Sequence, residues 1–411
     1  MNVHVMITRH ESITSLALPL AAVFVVSLGY GVVLPVLPFI LERALGDAAR
    51  AAISWHTGLL MGVYMLALFL FAPLWGRISD RAGRRTVILL GLAGFSAALL
   101  WFAVAHDLVF VYGARVLAGV FAAAVVPVVF AWVSDVGTPR KRAQAFAWLS
   151  AASALGFLFG PALSGWLASA EFGDQDISTA LPFYAAAILS GAVWFVAYRY
   201  LPERASRHTE NESEAGAPPL IWLLALSMLV MLGLGGYEVS LALQGQQVLN
   251  LQPREMGWMF AECSLVMILV QVFVLAPLLQ RVGSSLLAPA FLVMAIGVAL
   301  LPFAANYPAM LLGVGLVAAA AGMLIPALVY LVSLAAGSAP GAAIGKQTAA
   351  ANLGQAVGSA AVGWLFAVSI EIPFWVIAGL LMLGAVAALH VSKSLKRIGI
   401  TGYGLKSEKA E

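Results

Sequence analysis

At 411 residues, with 62% hydrophobic and 10% charged side chains and a net charge of +3, the chain lies far from soluble domains, which average about 45–50% apolar and about 25% charged. That composition belongs to a membrane protein, the alternating ten-residue segments of an outer-membrane barrel are absent, and the weak net charge argues against a nucleic-acid partner. Cys263 is the only cysteine, so an intramolecular disulfide is excluded. Apolar runs recur at about the 20 residues a helix needs to cross a hydrocarbon core, and the spans are therefore helices. The first begins near Leu16 and continues past Leu34, Pro35 and Pro38 to Leu41 with no small-residue cleavage site, which reads as a retained helix.

In chain order the predicted spans are 16–41, 56–76, 86–105, 109–134, 143–169, 181–200, 220–245, 256–280, 286–304, 308–335, 342–369 and 373–391. Lys and Arg collect in short cytoplasmic loops. With both termini inside, 18 of the 22 basic residues fall on the inner side; Arg43, Arg50 and Arg254 fall outside, and Arg115 lies within a span. The charged, Pro-ended stretch after span 6 reads as a flexible cytoplasmic linker. It divides the chain into a bundle at 1–201, a linker at 202–219, and a second bundle with its tail at 220–411.

The halves echo each other. GFLFGPALSGWL at 156–167 faces GQAVGSAAVGWL at 354–365, APLW at 72 recurs as APLL at 276, and Pro127 with Ser134 recurs as Pro326 with Ser333. Three matches in the same order argue for two six-helix repeats. Parallel repeats of this kind place a substrate site between the halves near mid-membrane.

Between spans 2 and 3 lies GRISDRAGRR, residues 76–85. Its plainest reading is an inner-side topology marker, which accounts for the arginines but not for Asp80, Gly76 or Gly83. The order Gly76, Asp80, Arg81, Gly83, Arg84, Arg85 resembles the signature loop of the major facilitator superfamily. The resemblance implies an all-α membrane protein of twelve transmembrane helices in two pseudo-symmetric six-helix bundles. It also implies a loop that latches the cytoplasmic side of the halves. Asp80 could sit at the positive N-terminal end of span 11 near Gly341, while Arg84 could pair with Asp135.

In span 4 Arg115 lies about six residues below the outer surface, roughly 9 Å deep at the helical rise. It must snorkel or find a partner. The stretch is similar to the family's R-x-x-Q-G motif, tied there to proton coupling, with Ala118 where that motif has Gln. In span 5 Gly156, Gly160, Pro161 and Gly165 resemble the antiporter motif of the drug-efflux branch, with Ser164 replacing one Gly. Glycines four apart also simply allow close helix packing. Gly29, Gly31, Pro35, Leu37 and Pro38 in span 1 look like the tetracycline and multidrug exporters of that branch. Many of those carry an acid just before these glycines, where this chain has Val26 and Ser27.

A proton carrier is therefore expected elsewhere. The acids within spans are Glu238 in span 7 and Glu262 in span 8, each seven or eight residues from its outer end. Desolvation favours their neutral form and a nearby arginine their charged form. Glu238 is the first candidate, Glu262 the second; the plainer alternative is a fixed carboxylate paired with Arg115 or a polar neighbour.

The resemblance assigns spans 1, 4, 7 and 10 to the centre and 2, 5, 8 and 11 to the interface between halves. Tyr30, Tyr64, Phe121, Tyr237, Gln244, Gln271, Tyr330, Asn352 and Gln355 then become candidate substrate contacts. Together they describe an apolar, aromatic pocket with few fixed charges, suited to lipophilic, neutral or cationic organic molecules.

The expected protein is a proton-coupled exporter of the cell (inner or plasma) membrane, monomeric, needing no cofactor beyond the proton gradient. Its partners are a small-molecule substrate, protons and the lipid bilayer. Export of a metabolite, sugar or siderophore, or import, stays open as an alternative. A membrane enzyme is disfavoured because the six histidines are scattered with no i, i+4 metal pair. No G-x-x-x-x-G-K-[ST] phosphate loop supports direct ATP drive.

Overall fold

In the computed structural model, residues 3–45, 50–134, 139–169, 175–203, 218–336 and 340–397 are described. Asp135, most of the linker at 202–219 and the tail beyond residue 397 lie outside them. The elements are α1 (Val3–Val33), α2 (Leu37–Leu45), α3 (Arg50–Ala82), α4 (Arg84–Ala103), α5 (Leu108–Ser134), α6 (Pro139–Ala168), α7 (Gln175–Tyr200), α8 (Pro218–Gln247), α9 (Pro253–Val270), α10 (Ala276–Val282), α11 (Leu287–Leu300), α12 (Tyr307–Ala335), α13 (Pro340–Val368) and α14 (Ile372–Arg397). Twelve stretches are long and apolar enough to cross a membrane, matching the twelve predicted spans in order, and no strand occurs among the described residues.

Two spans are less regular than their apolar runs predict. The run read as 16–41 breaks after Val33, with a turn at Leu34–Val36 leading into α2. Pro35 and Pro38 have no backbone N–H to continue the helical ladder, and short-range bonds from Leu34 to Gly31 and from Val36 to Val33, both 3.3 Å, close the gap. The run read as 256–280 is interrupted by a π-helical turn at Gln271–Leu275. Pro277 follows at the start of α10, where its missing donor disrupts the α-helical pattern just upstream.

The residues fall into two compact units. Unit 1 holds Met1–Gly46, Leu66–Thr209 and Leu251–Ala261; unit 2 holds Asp47–Met65, Glu210–Asn250 and Glu262–Glu411. Each draws mainly on one half of the chain and takes in half a helix from the other. The first half of α3 belongs to unit 2 and the first turns of α9 to unit 1.

Glycines permit these memberships. In unit 1 a Cβ on Gly165 of α6 would lie 2.8 Å from the Cα of Gly257 on α9 and 2.7 Å from the Pro253 carbonyl oxygen. In unit 2 a Cβ on Gly58 of α3 would lie 2.6 Å from the Cα of Gly363 on α13. Gly165 and Gly363 occupy the same place in the two sequence echoes, so the repeat recurs as a repeated backbone contact.

Within unit 1, α1 lies against α6 with Gly156 facing the Phe24 carbonyl and Gly160 the Leu28 carbonyl, each 2.5 Å from an added Cβ. Within unit 2, α8 lies against α13 in the matching way, Gly354 facing the Met228 carbonyl and Gly358 that of Leu232. Without a side chain at these four positions the helices approach to backbone contact, which is the main source of helix association where lipid supplies no hydrophobic drive.

Candidate functional site

The loop joining α3 to α4 turns on Gly83, whose φ of 91° and ψ of 140° belong to a region that essentially only glycine occupies. The turn brings Asp80 and Arg84 together as an ion pair of 2.7 Å. Arg84 also donates to Ser79 Oγ at 2.6 Å, and Ser79 donates to the Gly76 carbonyl at 2.7 Å. Among the described residues Arg84 thus pairs with Asp80, four residues before it; the pairing with Asp135 expected from the sequence falls on a residue outside them. Arg85 donates to the Tyr198 carbonyl at 2.6 Å and reaches Glu203 at 3.5 Å. Arg77 and Arg81 are exposed, and a Cβ on Gly76 would meet nothing within 4 Å.

Deeper in unit 1, α5 carries Arg115, which is only 2% exposed. Its guanidinium lies 5.9 Å from the ring centroid of Tyr30 on α1. Tyr30 in turn meets Phe157 of α6 edge-to-face at 5.6 Å. A buried cation is costly unless partnered, and an aromatic face supplies part of that stabilisation. The guanidinium is therefore held inside the helices and does not snorkel. Phe157 escaped notice in the sequence, although it is the second residue of the GFLFG stretch; only the fold shows that it leans on Tyr30. Pro161 packs on Gly31, its Cδ 2.8 Å from an added Cβ there. Ser164 donates to the Val32 carbonyl at 2.6 Å. The antiporter-like residues are thus the packing surface of α6 for α1 and α9.

In unit 2 the carboxylate of Glu238 on α8 accepts a 3.1 Å bond from Nε2 of Gln355 on α13. Next to it Tyr237, fully buried, donates to Cys263 Sγ on α9 at 3.9 Å. This contact brings α8 and α9 together at the depth of both acids. Glu262 Oε1 lies 3.5 Å from where Gly315 of α12 would carry a Cβ, and its Oε2 is buried with no hydrogen-bond partner among the described residues. Two carboxylates, an amide, a phenol and a thiol thus gather on α8, α9 and α13.

The remaining candidates divide. Gln244 is buried and donates to the Leu301 carbonyl at 2.8 Å, so its amide supports the end of α11. Phe121 fills the space left by Gly94 of α4 and lies 6.5 Å from the Trp75 ring. Tyr64 is buried in unit 2, while Tyr330, Asn352 and Gln271 are half-buried, Gln271 opening the π turn. No cluster of three or more His, Cys, Asp or Glu side chains able to hold a metal ion occurs among the described residues.

Twelve apolar helices, an internal repeat and the Gly76–Arg85 loop converge with a direct family match. The pattern described as Major Facilitator Superfamily matches residues 20–284 and 223–398. The chain belongs to that superfamily. It is thereby a multi-pass membrane transporter, and the fold expected from the loop is the one observed. Multidrug resistance protein 2 of Bacillus subtilis is 28% identical over 406 residues, covering 94% of this chain and 97% of the relative. Quinolone resistance protein NorA of Staphylococcus aureus is 27% identical over 377 residues, covering 89% and 94%. Among solved structures, a bacterial homologue of the human lysosomal transporter Spinster, in an inward-facing and occupied conformation, aligns with a TM-score of 0.77 at 15% identity, covering 94% of this chain and 98% of that one. The human organic anion transporter MFSD10 aligns at 0.71 with 20% identity, covering 92% and 99%.

Proposed function

We propose that the protein is a proton-coupled exporter of small lipophilic or cationic organic compounds, drugs among them, working by alternating access as a monomer in the cell membrane with both termini cytoplasmic. The near full-length relatives named for multidrug and quinolone resistance support the substrate class. The basic residues concentrated on one side of the predicted spans support the orientation. The observation that carries the coupling is the Glu238–Gln355 bond inside unit 2.

A carboxamide offers both donor and acceptor. It therefore serves a carboxylate through its NH2 and, after a half-turn, a carboxylic acid through its oxygen, so Glu238 can load and release a proton without losing its partner. A fixed arginine partner would instead hold the charged form. Glu262, beside Gly315, is the second carrier in this reading, and Arg115 sets the potential in unit 1. A membrane potential contributes about 2.3 kcal/mol per charge per 100 mV, so one proton per cycle can sustain a concentration ratio well above tenfold.

The test uses the full chain in proteoliposomes with an imposed proton gradient and ethidium as an organic-cation probe. Wild-type transport should collapse on adding an uncoupler. Glu238→Gln should reduce gradient-driven transport by more than about tenfold while keeping the wild-type unfolding temperature. Undiminished transport by this variant would remove Glu238 as the carrier.

A further inference from the structure

Unit 1 contains a cavity of about 180 Å³ between α2, the end of α4 and the start of α7. Its floor is the buried ring pair Phe102 and Phe183, with centroids 4.6 Å apart. At its wall Arg43 of α2 donates from Nη1 to Thr179 Oγ1 at 2.7 Å, and His106 completes the polar part of the lining.

We propose that this cavity binds the phosphate-bearing headgroup of an anionic phospholipid. The guanidinium presents planar N–H donors that match a phosphate, and the Thr179 bond holds it at the wall. The imidazole of His106 adds a donor within the same lining. The aromatic floor and Ile40 suit the glycerol carbons and the first methylenes of the acyl chains. The position fits, because α4 ends at Ala103 and α7 starts at Gln175, at the border where hydrocarbon gives way to headgroups. Size decides against a drug-like occupant, since pockets for such ligands are about 300–1,000 Å³. The leaflet concerned rests on the proposed orientation; the binding does not.

Native mass spectrometry of the full chain in detergent tests the assignment, with phosphatidylglycerol, diacylglycerol and glycerol 3-phosphate as probes. Arg43→Gln should weaken binding of the first phosphatidylglycerol about tenfold, or about 1.4 kcal/mol. Diacylglycerol binding, and the matching control Arg254→Gln, should not change. Equal phosphatidylglycerol affinity in wild type and folded Arg43→Gln would overturn the site. Glycerol 3-phosphate binding as tightly as phosphatidylglycerol would overturn the lipid as its occupant. Should Arg43→Gln not fold, Ala180→Trp fills the cavity and keeps the arginine. Loss of the first phosphatidylglycerol in that variant supports the site, and unchanged binding refutes it.

Discussion

The α1–α6 pair of unit 1 and the α8–α13 pair of unit 2 share a backbone arrangement and differ in chemistry. In both, two glycines four residues apart press against carbonyls of the partner helix. Gly31 meets Pro161 in one, and Gly235 meets Ser359 in the other. Onto this common frame unit 1 places an arginine and two aromatic rings, and unit 2 places carboxylates and an amide. Phe157 stands where the echo has Gln355, and Leu34 stands three residues beyond Gly31 as Glu238 stands three beyond Gly235. The close approach therefore depends on small residues alone, which leaves neighbouring positions free to carry opposite solutions to the cost of a charge in an apolar interior. Only the unit 2 solution uses a titratable acid with a partner suited to both of its protonation states.

The strongest challenge to this comparison strikes what the pairs share. Gly160→Leu and Gly358→Leu should each abolish folded protein, seen as loss of a monodisperse peak on size-exclusion chromatography, because backbone cannot yield as a side chain can. If only one does so, the frames are not equivalent. Next comes a change confined to unit 2: Gln355→Leu should cost about 1–3 kcal/mol, because it removes the hydrogen bond that the half-buried Glu238 carboxylate accepts, read as a lowered unfolding temperature, and should reduce gradient-driven transport. Arg115→Lys in unit 1 should cost about 1 kcal/mol, because an ammonium keeps the charge but loses the flat face that lies over Tyr30; the same unfolding measurement checks it. The smallest effect is expected at Gly76→Ala, within about 0.5 kcal/mol, since an added methyl meets nothing within 4 Å. A larger loss of stability would show that this position is closely packed for part of the time.

The twelve spans could be read because each apolar run is bounded by polar or Pro-rich segments, and the repeat because Gly-Trp-Leu recurs at matching places. Side-chain partners were less legible. Arg84 has candidate acids both nearby in sequence and far from it, and the pairing with Asp80 comes with the Gly83 turn, whose backbone angles no composition reveals. Gln244 looked like any polar residue in a central span until Leu301 appeared as its acceptor. The antiporter-like glycines fit both a motif and helix packing, and their nearest neighbours in the fold are backbone carbonyl oxygens. Glu238 was legible as an acid in an apolar run; its amide partner, 117 residues away in sequence, was not.

The π turn at Gln271–Leu275 alters how the chain beyond it presents its sides. An α-helix advances about 100° per residue, so one additional residue in a single turn rotates every later side chain by about that angle relative to a continuous wheel. Val272, Phe273 and Val274 are 62%, 69% and 41% exposed in succession, a run of three that a regular amphipathic helix would divide between faces. A helical wheel drawn unbroken from Pro253 to Val282 therefore misassigns α10 by more than a quarter of a revolution. Removing one residue from the turn would re-clock Pro277 and Arg281 together, by about 100° relative to α9.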